Sequence, residues 1–582
     1  MKLPAVSSRA LLSIGIRPAF ACVAALALAD VTAQAADLTW DTGTPPAFAS
    51  GAGTWDNGIT TNWTNDGGVT DMLWSSALDN AIFTTTAGGY TVTPSLASSP
   101  TVNNISFTGA ATGGVTFANV AGAAITLNGS LTVGSTNTVR LDSKLSGTGS
   151  LIVNGGTLLM TTLNSTNNFS GGVTLNSGTY TIRTGSQFGS GPLTINGGTF
   201  TDGSQNFSLS NSLTIGGNFT VNVAGASTFS GAVDLGAGVR TISNSGNNLL
   251  FTGVVSGTGG FNFTGTGLKN VVLQNALNTF EGGVTVNAGV SLVLKTSGTA
   301  VGNSSPLGNK TSSVLTVNGG SLASGNNDGN RTYANNIVVG GDFALTAGTG
   351  TITTFSGAVD LGGAARVITV GSSTGTLVLS GVISGTGGAG LTLAGGGGGT
   401  KVTLSGVNTY TGATTVGGGT LALGSSGTLA STSYSIADGA VFNASAKTSY
   451  SLAAVATTIG VGATTSGFFN GPSSGALTLG NSLTLNFSTN LIADGQTYNL
   501  FDFGSKSGDF SSVVLTGSIV GSLLLTDTDT WTGLVGGYDF TFHQDTGNLL
   551  VATAVPEPST YAAILGSLAL VGVAIHRRRR QG

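Results

Sequence analysis

Blocks of sequence recur along this chain, and their spacing restricts the folds that it can adopt. The phrase Thr228–Gly236 returns as Thr354–Gly362, and the phrase Gly253–Gly260 returns as Gly381–Gly388 with one substitution. A tract of several short units over 146–255 is therefore followed by a second copy and by part of a third. Such internal repetition is typical of solenoids, in which each unit packs only against its neighbours.

Within each block the smaller unit is a short alternating strand that ends at a glycine corner. Runs such as Leu193-Thr-Ile and Leu315-Thr-Val alternate inward and outward side chains, and each is followed by Asn-Gly-Gly. Glycine supplies the positive φ that a tight corner needs. Units of about 20–25 residues without helical segments predict an all-β chain, a right-handed parallel β-helix (solenoid) of roughly fifteen to eighteen rungs.

One motif occurs in three clear copies, at 167–179, 278–289 and 408–420. Its fullest form, Asn408–Gly424, reads Asn-Thr-Tyr-Thr-Gly-Ala-Thr-Thr-Val-Gly-Gly-Gly-Thr-Leu-Ala-Leu-Gly. This pattern resembles the autotransporter-associated β-strand repeat. That resemblance implies the β-helical architecture of secreted passenger domains.

Both ends of such a rod expose strand edges, so each end needs a cap. Tryptophan is concentrated near the start of the chain, where a cap is expected and a sugar-binding aromatic platform is the alternative. The four tryptophans are Trp40, Trp55, Trp63 and Trp74. We predict a signal peptide (1–35), an N-terminal Trp-rich cap with the first rungs (36–140), the repeat β-helix (141–425), an irregular C-terminal β region that forms the second cap (426–554) and a sorting tail (555–582).

The first 35 residues have the layout of a secretory signal peptide. Basic Lys2, Arg9 and Arg17 precede the apolar stretch 18–29, and Ala33-Gln34-Ala35 forms an A-x-A cleavage site. We therefore expect cleavage after Ala35, with Ala33 and Ala35 as the small residues that the peptidase reads. The one cysteine, Cys22, lies inside this segment, so the mature chain has no thiol for disulfides, metal binding or nucleophilic catalysis.

The other end carries a Pro-Glu-Pro turn, an uncharged run over 561–575 and an arginine cluster. At about 1.5 Å per residue the run spans roughly 23 Å, against about 30 Å for a bilayer core. We predict a transmembrane helix held by the arginines on the cytoplasmic side, for which an ordinary tail anchor is the alternative. The residues of this segment are Val555, Pro556, Glu557, Pro558, Arg577, Arg578, Arg579 and Arg580.

This order of elements resembles the PEP-CTERM sorting signal. The resemblance implies an exosortase-type processing enzyme as partner and transient insertion in the inner membrane of a Gram-negative cell. It also implies removal of the tail near the Pro-Glu-Pro and release to the cell surface or an exopolysaccharide matrix. Some ice-binding proteins carry the same tail.

Charge and residue types argue against most catalytic and nucleic-acid functions. Residues 36–554 hold 12 basic and 21 acidic side chains, a net charge of −9 that disfavours nucleic acid. His543 and His576 are the two histidines, too few for a zinc site or a catalytic triad. Asp527 and Asp529 are expected in a turn, with a weak calcium site as the alternative. We predict no catalytic, metal-binding or cofactor-binding residue, and no cofactor.

The sequence therefore predicts a secreted, non-enzymatic β-solenoid that serves as a surface or exopolysaccharide-matrix structural or adhesion protein. A carbohydrate-active β-helix enzyme is the alternative, because such enzymes share this fold and use paired carboxylates. Ice binding is a further alternative, which needs a Thr-x-Thr array on successive rungs. Thr349, Thr351 and Thr353 form such a phrase, but it does not recur at rung spacing.

Overall fold

The computed structural model describes residues 35–554 and 558–581. Within the first range it leaves out 87, 110–112, 135, 161–165, 203–205, 298–301, 325–328, 347–349, 372–374 and 396–398. The described chain is an all-β parallel solenoid of about 16 turns, as the repeats predicted. Each regular turn contributes one strand to each of three faces.

The strands of a face pair in parallel with those of the turns before and after, except where a turn has no strand on that face: after Ser146 on the third face, after Ser256 on the first and after Ser384 on the second. The first face is formed by Asp37–Trp40, Asn80–Thr84, Ile105–Thr108, Ser130–Val133, the first halves of Ser150–Met160 and Val173–Ile182, Leu193–Ile195, Leu213–Ile215, Val233–Asp234, Val255–Ser256, Arg331–Tyr333, Ile352–Phe355, Thr376–Leu379, Lys401–Leu404, Thr420–Leu423, Val441–Asn443, Phe468–Asn470 and Phe501–Asp502.

The second face comprises Gly53–Trp55, Tyr90–Pro94, Val115–Phe117, Thr138–Leu141, the second halves of Ser150–Met160 and Val173–Ile182, Thr199–Asp202, Phe219–Asn222, Val239–Asn244, Gly260–Gly265, Val284–Val286, Leu315–Val317, Ile337–Val339, Val359–Asp360, Ile383–Ser384, Tyr450–Ser451, Ala476–Thr478 and Ser505–Ser507.

The third face comprises Thr101–Val102, Ala124–Leu127, Lys144–Ser146, Phe207–Leu209, Ser227–Phe229, Leu249–Phe251, Lys269–Leu273, Val290–Leu294, Ser321–Ser324, Phe343–Thr346, Arg366–Val370, Leu391–Gly395, Thr414–Val416, Ser433–Ile436, Ala456–Val461, Ser482–Phe487 and Ser512–Gly517. A 3₁₀ turn spans Gly185–Phe188.

Alternation along each short strand builds the core. In the strand Leu315–Val317 the first and last side chains are fully buried, whereas Thr316 between them is partly exposed. The same buried–exposed–buried pattern recurs from turn to turn, and the buried side chains form one continuous hydrophobic cluster from Leu38 to Val551. Because successive side chains of a strand point alternately inward and outward, aliphatic and aromatic groups fill the interior and hydroxyl and amide groups lie outside.

The three copies of the recurrent motif begin with an asparagine that the fold buries. Asn167, Asn278 and Asn408 are between 0 and 8% exposed. The Oδ1 atom of Asn278 accepts a hydrogen bond from the Val255 amide of the turn before (2.8 Å), and its Nδ2 donates to the Pro306 carbonyl (3.0 Å). The other two asparagines make the same pair of bonds. Each side chain therefore bridges three turns where backbone pairing is interrupted.

Two more positions of the motif have structural roles: the aromatic residue of each copy, and a glycine that the first two copies share where the third has Ala413. Phe169, Phe280 and Tyr410 are fully buried in the core. Gly172 and Gly283 adopt φ values of 87° and 80°. A Cβ at these positions would come within 2.5 and 2.6 Å of a carbonyl oxygen on the next turn, so both conformation and space require glycine.

The N-terminal end is closed by the four tryptophans. Trp40, Trp55, Trp63 and Trp74 are at most 1% exposed, and the Trp63 and Trp74 ring centroids lie 4.7 Å apart. Trp63–Thr64 pairs antiparallel with the first strand. Because these indoles are buried, they form the interior of a cap and offer no aromatic surface to a sugar.

The C-terminal end is closed by antiparallel strands. The last strand of the third face, Ser512–Gly517, pairs antiparallel with the first strand of a four-stranded meander. The meander comprises Gly521–Asp527, Thr530–Val535, Tyr538–His543 and Asn548–Thr553. Its last strand pairs antiparallel with Gln496–Asn499, the fifth strand of the cap. The antiparallel strand ends the stack, because it occupies the edge at which a further parallel turn, or a strand of another chain, would otherwise pair.

After the cap, one helix spans Pro558–Arg579, and its side chains from residue 562 onward are exposed. No helix of the described residues has the length and apolar character that crossing a membrane requires. The described residues therefore do not bear out the predicted transmembrane helix: the uncharged run ends at Ile575, and the arginines that follow add charge rather than apolar length.

The buried asparagine bridges give a stability prediction. Replacing Asn278 with alanine leaves the Val255 amide and the Pro306 carbonyl without their partner, which should cost about 2–4 kcal/mol of unfolding free energy. The exposed Asn318, which donates only to the Asn287 side chain (3.3 Å), is the matched control and should change stability little. Urea unfolding followed by circular dichroism measures both. Equal midpoints for the two variants would contradict the bridging role.

Candidate functional site

Most residues of the predicted sorting signals lie at the margins of the described chain. Ala33, Val555, Pro556 and Glu557 fall outside the described residues. Ala35 is the first described residue and is exposed; Pro558 begins the C-terminal helix. Arg577, Arg578 and Arg579 form the exposed last turn of that helix, and Arg580 follows it. The arginines of the tail are thus grouped at one end of a helix.

The position just after the predicted signal-peptide cleavage site contacts a buried carboxylate. The backbone nitrogen of Ala36 donates to Oδ1 of Asp79 at 3.0 Å, and the Ala36 carbonyl accepts from the Asn80 amide at 2.8 Å. Asp79 is only 7% exposed. Cleavage after Ala35 would convert this nitrogen into an α-ammonium group, and the neutral hydrogen bond would become an ion pair.

Rows of threonines lie side by side where the first and second faces meet in the first repeat block. Thr174, Thr194 and Thr214 stack on the first face. On the second face, Thr179 pairs with Thr199 and Thr181 with Thr201, so a Thr-x-Thr phrase repeats on two successive turns. Thr220 continues the row. We call this set of eight threonines the threonine face.

An asparagine ladder runs along the corner within the threonine face. Asn196 donates to Asn176, and Asn176 donates to Asn154, each at 2.7 Å. The Thr181 and Thr201 hydroxyls are themselves 2.9 Å apart. None of these side chains is ionisable, so the surface offers neutral donors and acceptors at the spacing of stacked strands, about 4.8 Å.

Sequence reasoning missed the threonine face, although its signal was present. The two Thr-x-Thr phrases are separated by one turn of the solenoid, but they stack only when rung boundaries are known. The phrase Thr349-x-Thr351-x-Thr353 does not continue on the next turn, because Thr353 pairs there with Leu377. A search for outward threonines at one-turn spacing would find the pairs Thr179–Thr199 and Thr181–Thr201.

The residues considered for chemistry are not assembled into a reactive site. Asp527 and Asp529 lie at a hairpin turn, and the Lys506 ammonium contacts both Asp509 (2.6 Å) and Asp529. The hydrogen bond from Lys506 lowers the pKa of Asp529. His543 lies on a strand of the cap and contacts the Thr530 hydroxyl at 3.3 Å. Among the described residues, no group of three or more His, Cys, Asp or Glu side chains could hold a metal ion.

The solenoid also carries grooves of small-molecule size. One, of about 340 Å³, opens on the second face near the end of the repeats, and it is lined by Thr428, Leu429, Tyr434, Lys447, Ser449, Tyr450, Ser451, Val455 and Thr478. A second, of about 520 Å³, lies beside the threonine face and is lined by Thr201, Asn222, Ala224, Ser245, Gly246, Asn247 and Lys269. The first contains two tyrosines, whereas the second has no aromatic wall.

Comparison with protein-family models, with curated proteins and with solved structures finds no match for this chain. The surface chemistry of the solenoid is therefore the basis on which its function can be inferred.

The contact between Ala36 and Asp79 yields a prediction about maturation. A chain that begins at Ala36 should be more stable, by about 1 kcal/mol, than one that keeps Gln34 and Ala35, because an ammonium–carboxylate bond is stronger than an amide–carboxylate bond. Thermal unfolding of the two purified forms measures the difference. In an Asp79→Asn background the two forms should unfold at the same temperature; a difference that persists there would show that the ion pair is not its cause.

Proposed function

We propose that this protein is a secreted, non-enzymatic, right-handed β-solenoid that acts as a structural or adhesion component of the cell surface or exopolysaccharide matrix. The observation that carries the proposal is the threonine face: stacked hydroxyl and amide groups without charge. Such groups exchange hydrogen bonds with the hydroxyls of a polysaccharide. Each contact is weak, but repetition along a rigid rod raises the overall avidity.

The two ends of the chain support export as part of this proposal. At the N-terminus, the predicted signal peptide ends directly before Ala36, whose backbone nitrogen donates to Asp79. At the C-terminus, the tail has the Pro-Glu-Pro phrase and the arginine cluster that resemble a PEP-CTERM signal. We infer that an exosortase-type enzyme of a Gram-negative cell recognises the tail and removes it near Val555. The solenoid would then be released to the surface or matrix, where an exopolysaccharide is its partner.

Polymer retention tests the proposed binding surface. The variant T181V/T199V/T201V removes three hydroxyls of the threonine face but keeps the β-branched shape that strands favour. We expect at least a threefold loss of co-sedimentation of the mature protein with the exopolysaccharide of its own host. The matched control T116V/T316V/T403V alters outward threonines that lie in no continuous row of hydroxyls, and it should sediment as the parent does. Equal loss in both variants, or in neither, would contradict the assignment.

Ice binding is a second candidate, because Thr179-x-Thr181 and Thr199-x-Thr201 stack on successive turns. An ice-binding face must be flat, so a bulky side chain within it should abolish the effect. If the face binds ice, the mature protein should depress the freezing point below the melting point, and Thr201→Tyr should remove this thermal hysteresis. Thr415→Tyr on the third face serves as the control. A parent protein without hysteresis would exclude this candidate.

A further inference from the structure

The groove that contains Tyr434 and Tyr450 has the features of a small-ligand site. It lies where regular strand pairing on the second face lapses: between Ile383–Ser384 and Tyr450–Ser451 the described residues of this face carry a single bridge, Val407 with Thr428. Its volume of about 340 Å³ lies within the range of small-molecule pockets, roughly 300–1,000 Å³. The floor is aromatic, and the rim is polar.

The two tyrosine hydroxyls leave a donor unused. Their oxygens are 2.6 Å apart, so one proton lies between them. A pair of hydroxyls carries two protons, and neither oxygen has a second partner among the hydrogen bonds of the described residues. Burial raises the pKa of Tyr434 to about 12 and that of Tyr450 further, so both remain protonated at physiological pH. One O–H of the pair therefore has no acceptor among the described residues.

The wall of the groove is rigid. The Tyr450 ring lies with its centroid 6.1 Å from that of Phe442 and 5.9 Å from that of Phe469. Phe442 and Phe469 are fully buried and stacked at 5.0 Å. A ring held by core residues offers a preorganised surface, which lowers the entropy cost of binding a flat ligand such as a sugar ring.

The remaining polar groups of the groove are one cation and several hydroxyls. Lys447 donates to the carbonyls of Ser425 (2.7 Å) and Gly427 (2.9 Å), which leaves the third N–H of its ammonium group. Ser449, Ser451 and Thr478 contribute hydroxyls, which can donate or accept. Among the described residues that line the groove there is no carboxylate, so a positive charge is uncompensated there. A cation without a carboxylate partner favours an anionic ligand.

We propose that this groove binds a uronic-acid unit of an acidic polysaccharide, with the sugar ring against Tyr450 and the carboxylate at Lys447. The inference rests on the proposed function, because it names the class of polymer that the rod would meet. The net negative charge of the mature chain repels a polyanion at long range, so binding here depends on this local cation and weakens with salt.

Calorimetric titration of the mature protein with a galacturonic acid hexasaccharide tests the proposal, with cellohexaose as the neutral probe. We expect the acidic probe to bind and the neutral one not to bind. Tyr450→Phe keeps the ring but removes a hydroxyl, so affinity should fall about three- to tenfold. Lys447→Gln should abolish the preference for the acidic probe, whereas Lys447→Arg should retain it. Tyr538→Phe, in the C-terminal cap, is the control and should bind as the parent does.

Several results would overturn the inference: binding of both probes with equal affinity, binding of neither, or binding that Tyr450→Phe and Lys447→Gln leave unchanged. Its failure is separable from failure of the proposed function. A protein that binds neither probe but sediments with its host polymer refutes the groove alone. A protein that binds the acidic probe but not the host polymer refutes the matrix role alone.

Discussion

Every other feature of this protein depends on parallel backbone pairing between successive turns. Each turn satisfies its amide and carbonyl groups on the next one, so no turn is stable without neighbours. Where the strands are interrupted, the buried asparagines of the recurrent motif supply the missing bonds; Asn278 does so for Val255 and Pro306. The glycines beside them allow the turns to approach within contact distance.

This pairing also determines what the surface can do. Parallel, in-register stacking multiplies any outward side chain into a row with a fixed spacing. The threonine face and its asparagine ladder result from this stacking. The same stacking makes a cap necessary at each end, because the unpaired strand edges of an open end would pair with other chains. The groove at Tyr450 arises from the opposite situation: regular pairing lapses on one face, and aromatic core residues approach the surface.

Much of the fold was predictable because its determinants are local. Alternation in Leu-Thr-Val, glycine corners and the duplicated blocks indicate short strands and a repeating turn, and the structure confirms a parallel solenoid. The tail is less clearly determined by local pattern. The uncharged run before Arg577 predicts a membrane span, but no helix of the described residues is long and apolar enough for one.

The sequence by itself determined the class of fold, the buried positions of each strand and the sparse, net negative charge of the surface, because these follow from residue type and a period of two. Only the tertiary structure decided which residues of successive turns become neighbours. Thr181 and Thr201 form a row, whereas Thr353 meets Leu377, and Tyr434 meets Tyr450, 16 residues further along the chain. The physical reason is the register of strand pairing. It depends on the length of every intervening turn, and the turns differ in length, so no local sequence pattern specifies it.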